Sequence, residues 1–282
     1  MKTDSVIELA ILGLPKTGTT WLEQVFGSSD HVTLFDERHK IETLWQRKGN
    51  TGVLVAESAT DPLALGALEK RKSALAALFG RLRPRRAVVI LRDPADWAIS
   101  LYRQYVKTGG RRTLQDALHT GEGAILDPNF FDYGLLQREL QETTDCPIWF
   151  GSFGSLLDSP YGFLESLLEG TLDPKLASIV KKSIPPEIME NRANIGLKGP
   201  GSRILRRMNA LRRTRWNPQG PFPWRGLQKL PWHWLGEGPP DLVDDRDREW
   251  INSLCHHHSD WPEWEIAFNK GLLIRTPENK TP

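Results

Sequence analysis

Along the first half of the chain, short apolar runs alternate with stretches whose apolar residues recur at helical spacing. Val6–Gly13 predicts a buried strand and Thr19–Phe26 a helix behind it. His31–Phe35 and Val53–Ala56 predict two further short strands. Leu63, Leu65, Leu68, Leu75, Leu78 and Leu82 give Pro62–Leu82 the spacing of one long helix. Ala87–Leu91 is the clearest strand, apolar, rich in β-branched residues and closed by Arg92-Asp93-Pro94. Pro94 suits the first turn of a helix, which is expected to run to about Lys107. Ile148–Phe150 supplies one more strand. Regular β–α alternation of this kind predicts a parallel sheet with helices on both faces.

The second half has a different texture. Phe130–Glu142 and Pro160–Glu169 predict helices, Arg203–Arg215 a basic helix, and Leu242–His258 a last one. Ile184–Gly201, with Pro185-Pro186 and three glycines, reads as loop. Asn217–Pro240 is rich in Pro, Gly and Trp and has almost no periodicity. We expect one domain over residues 1–282, with an α/β core at 6–183 and a helical and irregular lid at 184–282.

Composition narrows the classes. The 282 residues hold 37 Lys+Arg against 35 Asp+Glu, a net charge of +2, which argues against a dedicated nucleic-acid binder. Cys146 and Cys255 are too few for a disulfide framework and fit a reducing compartment. No apolar run approaches the roughly 20 residues that span a bilayer. The run Val6–Leu14 carries Glu8 and leads straight into a glycine loop, so we do not read it as a signal peptide. The expected location is the cytoplasm.

The richest segment is Gly13-Leu14-Pro15-Lys16-Thr17-Gly18-Thr19-Thr20-Trp21, between the first strand and the first helix. A glycine loop at that place aims backbone N–H groups at one point, and the positive end of the helix dipole adds to them. With Lys16 and the threonines in the same loop, the segment predicts a phosphate cradle rather than an ordinary turn. An ATP-type loop carries Lys directly after its second Gly. Here Gly13 and Gly18 have that spacing, yet Thr19 stands in the Lys position and the Lys has moved to 16. That weakens the case for a Mg-nucleotide enzyme. Pro15-Lys16-Thr17-Gly18-Thr19-Thr20-Trp21 resembles instead the 5′-phosphosulfate loop, P-K-[ST]-G-T-[TS]-[WA], of sulfotransferases that use 3′-phosphoadenylyl sulfate (PAPS).

A second segment strengthens the resemblance. Arg85–Leu91 is a basic apolar strand, followed by Arg92-Asp93-Pro94 and then by Ser100, eight residues after Arg92. That is similar to the family's 3′-phosphate motif. Physically, Arg92 stands at the carboxyl end of a strand, where open α/β sheets bind ligands, and Ser100 is two turns into the next helix. The plain alternative is an ion pair between Arg92 and Asp93 or Asp96. Phe153-Gly154-Ser155-Leu156-Leu157-Asp158-Ser159-Pro160 resembles the family's E-D-L-x-x-D-P segment, with the Glu absent. The likeness covers about residues 6–170.

The resemblance implies a P-loop-like α/β fold and transfer of a sulfuryl group from PAPS to an acceptor hydroxyl, without a metal. It places Lys16 at the leaving 5′-phosphate and Pro15, Thr17, Gly18, Thr19 and Thr20 around that phosphate. Trp21 either stacks on the adenine or belongs to the core. His31–Lys40 resembles the segment that carries a base in carbohydrate-type and many bacterial members. Glu37 is then the base, Asp36 the fallback, and His39 orients the carboxylate or substitutes for it. Ala56-Glu57-Ser58-Ala59-Thr60 resembles the E-K-S-[AP] segment of the carbohydrate group, with its Lys replaced. Lys198-Gly199 is either a loop over the 3′-phosphate or a turn before a helix.

Three further features are open. The arginines between Arg203 and Arg215 form either a solvated helix face or a contact for an anionic glycan or lipid headgroup. The late tryptophans, Trp216 to Trp264, either touch an acceptor or anchor an irregular loop. Cys255-His256-His257-His258 point around a helix and do not converge on a metal. The acceptor is expected to be a carbohydrate or a small molecule. Two rivals stand beside this reading: a P-loop nucleotide kinase, and a non-catalytic protein that binds PAPS or its product PAP (adenosine 3′,5′-bisphosphate).

Overall fold

A computed structural model describes residues 7–36, 51–120, 124–190, 243, 245–256 and 274–275. Five strands run parallel: β1 (Ile7–Gly13), β2 (Val32–Asp36), β3 (Thr51–Ala56), β4 (Ala87–Leu91) and β5 (Ile148–Ser152). A short β6 (Ile274–Arg275) adds to β5 antiparallel. The order across the sheet is β2-β3-β1-β4-β5-β6. The helices, in chain order, are α1 (Thr19–Gly27), α2 (Pro62–Leu65), α3 (Glu69–Leu82), α4 (Pro94–Lys107), α5 (Leu114–Ala117), α6 (Tyr133–Thr143), α7 (Phe153–Asp158), α8 (Pro160–Thr171), α9 (Pro174–Ser183), α10 (Pro186–Glu190) and α11 (Asp245–His256). The protein is therefore α/β, with a central parallel sheet flanked by helices.

The chain divides into two compact units. The first comprises Met1–Arg92, Tyr133–Ala193 and Asp260–Pro282, and it contains the sheet. Its central strands are apolar at successive positions because both faces are covered. Leu9, Ile11, Val53, Val55, Val88 and Ile90 share one core cluster with Leu22, Val25 and Phe26 of α1 and with Leu164, Leu167 and Leu168 of α8. Each such side chain contributes about 1.5–3 kcal/mol by leaving water. Ala10, Leu12, Leu54 and Val89, on the opposite face, are equally buried.

Helix starts follow from local chemistry. Asp61-Pro62, Asp93-Pro94, Ser159-Pro160 and Asp173-Pro174 each place a side-chain acceptor at the cap and Pro in the first turn. Two expected helices are interrupted. Pro62–Leu82 breaks at Gly66, whose φ of 74° ends α2 with a left-handed cap. Phe130–Glu142 is a 3₁₀ turn at Pro128–Phe131 and then α6, with extended Asp132 between them. The stretch from 184, expected as loop, opens with α10. Helices α7 and α9 were not foreseen. The proposed basic helix Arg203–Arg215, the Pro/Trp-rich stretch 217–240 and His257-His258 lie outside the described residues, as do the side chains of Cys255 and His256.

The second unit comprises Asp93–Asp132 and Asn194–Ser259. Helix α4 is its spine, with Trp97, Leu101, Tyr102, Tyr105 and Val106 buried. Trp97 meets Phe131 edge-on, with centroids 4.9 Å apart. Helix α11 packs on α4, and Arg248 Nη1 lies 2.8 Å from Asp96 Oδ1. Among the described residues no helix is long and apolar enough to cross a membrane.

In the first unit, α3 and α6 are joined by a buried ion pair. Arg71 Nε donates to Glu139 Oε2 at 2.6 Å, with the Arg71 side chain 1% exposed. Removing one partner leaves the other charge buried and unpaired. Glu139→Ala is expected to cost roughly 3–5 kcal/mol, while the double change Arg71→Met with Glu139→Leu costs far less. Urea denaturation of the two variants checks this.

Candidate functional site

Strand order locates the site before any side chain is considered. The chain lays β2 and β3 on one side of β1 and then crosses over to place β4 and β5 on the other. The carboxyl ends of β1 and β4 thus flank the point where the winding reverses, which is where open α/β sheets bind ligands. The glycine loop leaves β1 there, and Arg92 leaves β4.

The loop is tightly built. Thr17 is fully buried; its N–H and its hydroxyl both donate to the Leu14 carbonyl, at 3.1 and 2.5 Å. Lys16 is exposed and left-handed at φ 72°. Gly18, also left-handed at φ 85°, is the N-cap of α1, and no side chain caps that helix. The first N–H groups of a helix have no carbonyl of their own to reach, so those of Thr19 and Thr20 point out of the loop. Left-handed residues placed this way make a concavity of N–H groups suited to an anion. A Cβ on Gly18 would lie 2.5 Å from Leu156 Cδ2 and 3.4 Å from Phe153 Cε2, and one on Gly13 would overlap Thr19.

The hydroxyls divide by destination. Thr19, buried, donates to the Glu57 carboxylate just past β3. The Thr60 hydroxyl lies 2.9 Å from the Gly13 carbonyl and 3.0 Å from that of Glu57. The segment after β3 therefore braces both ends of the loop. Each hydroxyl has one hydrogen to give. Thr17 and Thr19 give theirs inward, and Thr20 is the exposed one.

Arg92 reaches back to the same loop. Its Nη1 donates to the Lys16 carbonyl at 3.2 Å, and its guanidinium lies over the Phe153 ring, 5.1 Å from the centroid. The Arg92 carbonyl accepts from the Tyr133 hydroxyl at 2.6 Å. Two cationic side chains, Lys16 and Arg92, thus meet at one loop rich in N–H donors. That combination binds anions, and phosphate above all.

Of the residues singled out from sequence, Pro15, Lys16, Thr17, Gly18, Thr19, Thr20 and Arg92 come together here. Trp21 is 8% exposed, belongs to the core cluster, and donates its indole N–H to the Ile188 carbonyl of α10 at 3.3 Å. Of its two alternatives, the core is where it stands. Ser100 is carried by α4, in the second unit. Asp36 closes β2. Glu37, His39, Lys198 and Gly199 lie outside the described residues. Glu57, Thr60, Tyr133 and Phe153 were given no role from sequence. Glu57 had a local signal, an acidic residue directly after a predicted strand. Tyr133 had none, because its partner is distant in the chain; Phe153 opens the segment likened to E-D-L-x-x-D-P, which gave no sign of its contact with Arg92. Among the described residues no His, Cys, Asp and Glu side chains group as a metal site.

No family model and no curated protein matches the chain. Among the solved structures it is similar to are two sulfotransferases. One is a sulfotransferase from Alicyclobacillus acidocaldarius, 13% identical, with 70% of this chain and 88% of that chain covered and a TM-score of 0.45. The other is mouse sulfotransferase SULT7A1 complexed with PAP, 14% identical, with 94% and 88% covered and a TM-score of 0.44. Neither likeness is close enough to carry function.

The loop's dependence on Gly18 is measurable. Gly18→Ala is expected to cost about 1–2 kcal/mol for the left-handed backbone, and more for the displaced Leu156. Gly66→Ala provides the control: its φ is also positive, at 74°, but its Cβ would meet open space. A larger loss of denaturation free energy for Gly18→Ala than for Gly66→Ala is the expected result.

Proposed function

We propose that the protein is a PAPS-dependent sulfotransferase acting on the hydroxyl of a carbohydrate or small molecule. The observation that supports this most is the convergence of Lys16, Arg92 and the uncapped start of α1 on one loop. The residues fit the donor: a glycine loop whose following helix has no side-chain cap, and two cations for a ligand bearing several negative charges. PAPS supplies an activated sulfuryl group on a mixed anhydride with its 5′-phosphate. The N–H groups of Gly18, Thr19 and Thr20 and the Thr20 hydroxyl hold that phosphate. Lys16, at the exposed turn of the loop, offsets charge on the phosphate oxygen that departs. Arg92 holds the 3′-phosphate, and Ser100 belongs to the same motif along the chain. Lys198-Gly199 closes over that end.

Glu37 takes the acceptor's proton, with Asp36 as the fallback and His39 orienting the carboxylate or substituting for it. Transfer of this kind needs positioning and charge compensation more than covalent help. A location in the cytoplasm fits this assignment.

A second reading has one observation in its favour. An acidic residue past the strand beside a phosphate loop, bonded to a loop hydroxyl, is also how a Mg-nucleotide site is built. Glu57, however, accepts from Thr19, the position that Lys fills in an ATP-type loop. Thermal shift with PAP, 5′-AMP and ATP, each with and without Mg²⁺, separates the readings. Stabilisation by PAP that ignores Mg²⁺ supports the sulfotransferase; stabilisation by ATP that requires Mg²⁺ supports a kinase.

Two variants test the roles. Lys16→Ala is expected to lower transfer of labelled sulfate from PAPS roughly 10²–10³-fold while PAP affinity falls much less. Unchanged transfer would refute the role of Lys16. Arg92→Ala is expected to weaken PAP by about 10–100-fold and 5′-AMP by clearly less, as measured by calorimetry. Equal losses for both ligands would refute a contact with the 3′-phosphate.

A further inference from the structure

One aromatic ring joins the two cationic elements of the site. β4 and β5 pair in parallel with Leu91 opposite Ser152, so Arg92 and Phe153 leave the sheet side by side. The Phe153 ring carries the Arg92 guanidinium on its face, with Cζ 5.1 Å from the centroid. The edge of the same ring, Cε2 and Cδ2, stands 3.4 and 3.7 Å from the place of a Cβ on Gly18. Phe153 thus carries the arginine on its face and borders the space that a side chain at Gly18 would need.

The ring is itself well held. Phe153 opens α7, and the Ser152 hydroxyl caps that helix by accepting from the N–H groups of Gly154 and Ser155, at 3.0 and 3.5 Å. The ring is half-buried against the core cluster that runs through Leu156. A guanidinium lying on an aromatic face keeps its in-plane N–H donors for oxygen acceptors. It also loses less side-chain freedom when a ligand arrives, because the ring has already restricted it.

We propose that Phe153 is a positioning residue that fixes Arg92 at a set distance from the phosphate loop. It thereby makes the site select ligands with a phosphate at each end of one nucleoside. This rests on the assignment of PAPS and PAP to the loop, and it adds a determinant of selectivity outside both phosphate motifs. Phe153 acts through Arg92 and the loop and has no part in the chemistry.

The test is a ratio of affinities. PAP and 5′-AMP are titrated calorimetrically into the wild type, Phe153→Leu, Phe153→Tyr and Phe153→Trp, each confirmed as folded by its melting transition. The wild type is expected to prefer PAP clearly. In Phe153→Leu the ratio of 5′-AMP to PAP dissociation constants is expected to fall roughly three- to tenfold, through weaker PAP binding. Tyr and Trp keep an aromatic face and are expected to hold the ratio within about twofold of wild type. If Phe153→Leu weakens both ligands equally, or leaves the ratio unchanged, Phe153 only supports the loop and the inference is wrong. If the wild type itself shows no preference for PAP, the assignment of the nucleotide fails and the inference falls with it.

Discussion

The register of four parallel strands governs everything at the site. Leu12 lies opposite Ala56, Gly13 opposite Ile90, and Leu91 opposite Ser152. Parallel pairing ends every strand on the same edge, so the residues that follow β3, β1, β4 and β5 meet there. Glu57, the glycine loop, Arg92 and Phe153 are those residues. Register is held by the fit of side chains on both buried faces, since a slip of one residue would exchange Leu9 and Ile11 with Ala10 and Leu12. Core packing and the spacing of the cations are therefore one constraint. A mutation deep in β4 that shifts its register would misplace Arg92 without touching it.

Hydroxyl accounting explains why the loop is stiff as well as cationic. Thr17 and Thr19 look like phosphate ligands in sequence, but both are buried and donate to the protein itself. What remains for an anion is mainly backbone N–H, fixed in direction by those internal bonds. Donors that need no rearrangement when charge arrives are the more effective ones. The bond from Thr19 to Glu57 also ties the start of α1 to the segment after β3.

The sheet was legible because each parallel strand is a short apolar run between turn residues, and the loop because its glycines and lysine are local in sequence. The helix breaks were less so. Gly66 interrupts a leucine pattern that runs on past it, and the periodicity masks a left-handed cap. Trp21 was ambiguous because a tryptophan on the first helix suits a nucleotide or a core equally; the neighbour that decided it, Ile188, is 167 residues away. Tyr133 carries no motif, and the segment that opens at Phe153 does not announce the ring's contact with Arg92; both depend on partners far away in the chain. Long-range contact is the part of a site that a single sequence encodes without displaying it.

The displaced lysine ties these threads together. An ATP-type loop keeps its cation on the first turn of the helix, directly after the second glycine. Here that place belongs to Thr19, which turns inward to Glu57, and the cation stands at Lys16 on the exposed apex. The apex needs a left-handed residue at φ 72°, a conformation that costs a lysine roughly 1–2 kcal/mol. The Arg92 guanidinium, bonded to the Lys16 carbonyl, helps to hold it. Strain of that size persists where surrounding structure over-determines it, and such residues gather at functional sites. The same bond therefore keeps one cation in its strained turn and fixes the other beside it, so the glycine loop and Arg92 are built as a single unit of backbone and side chain.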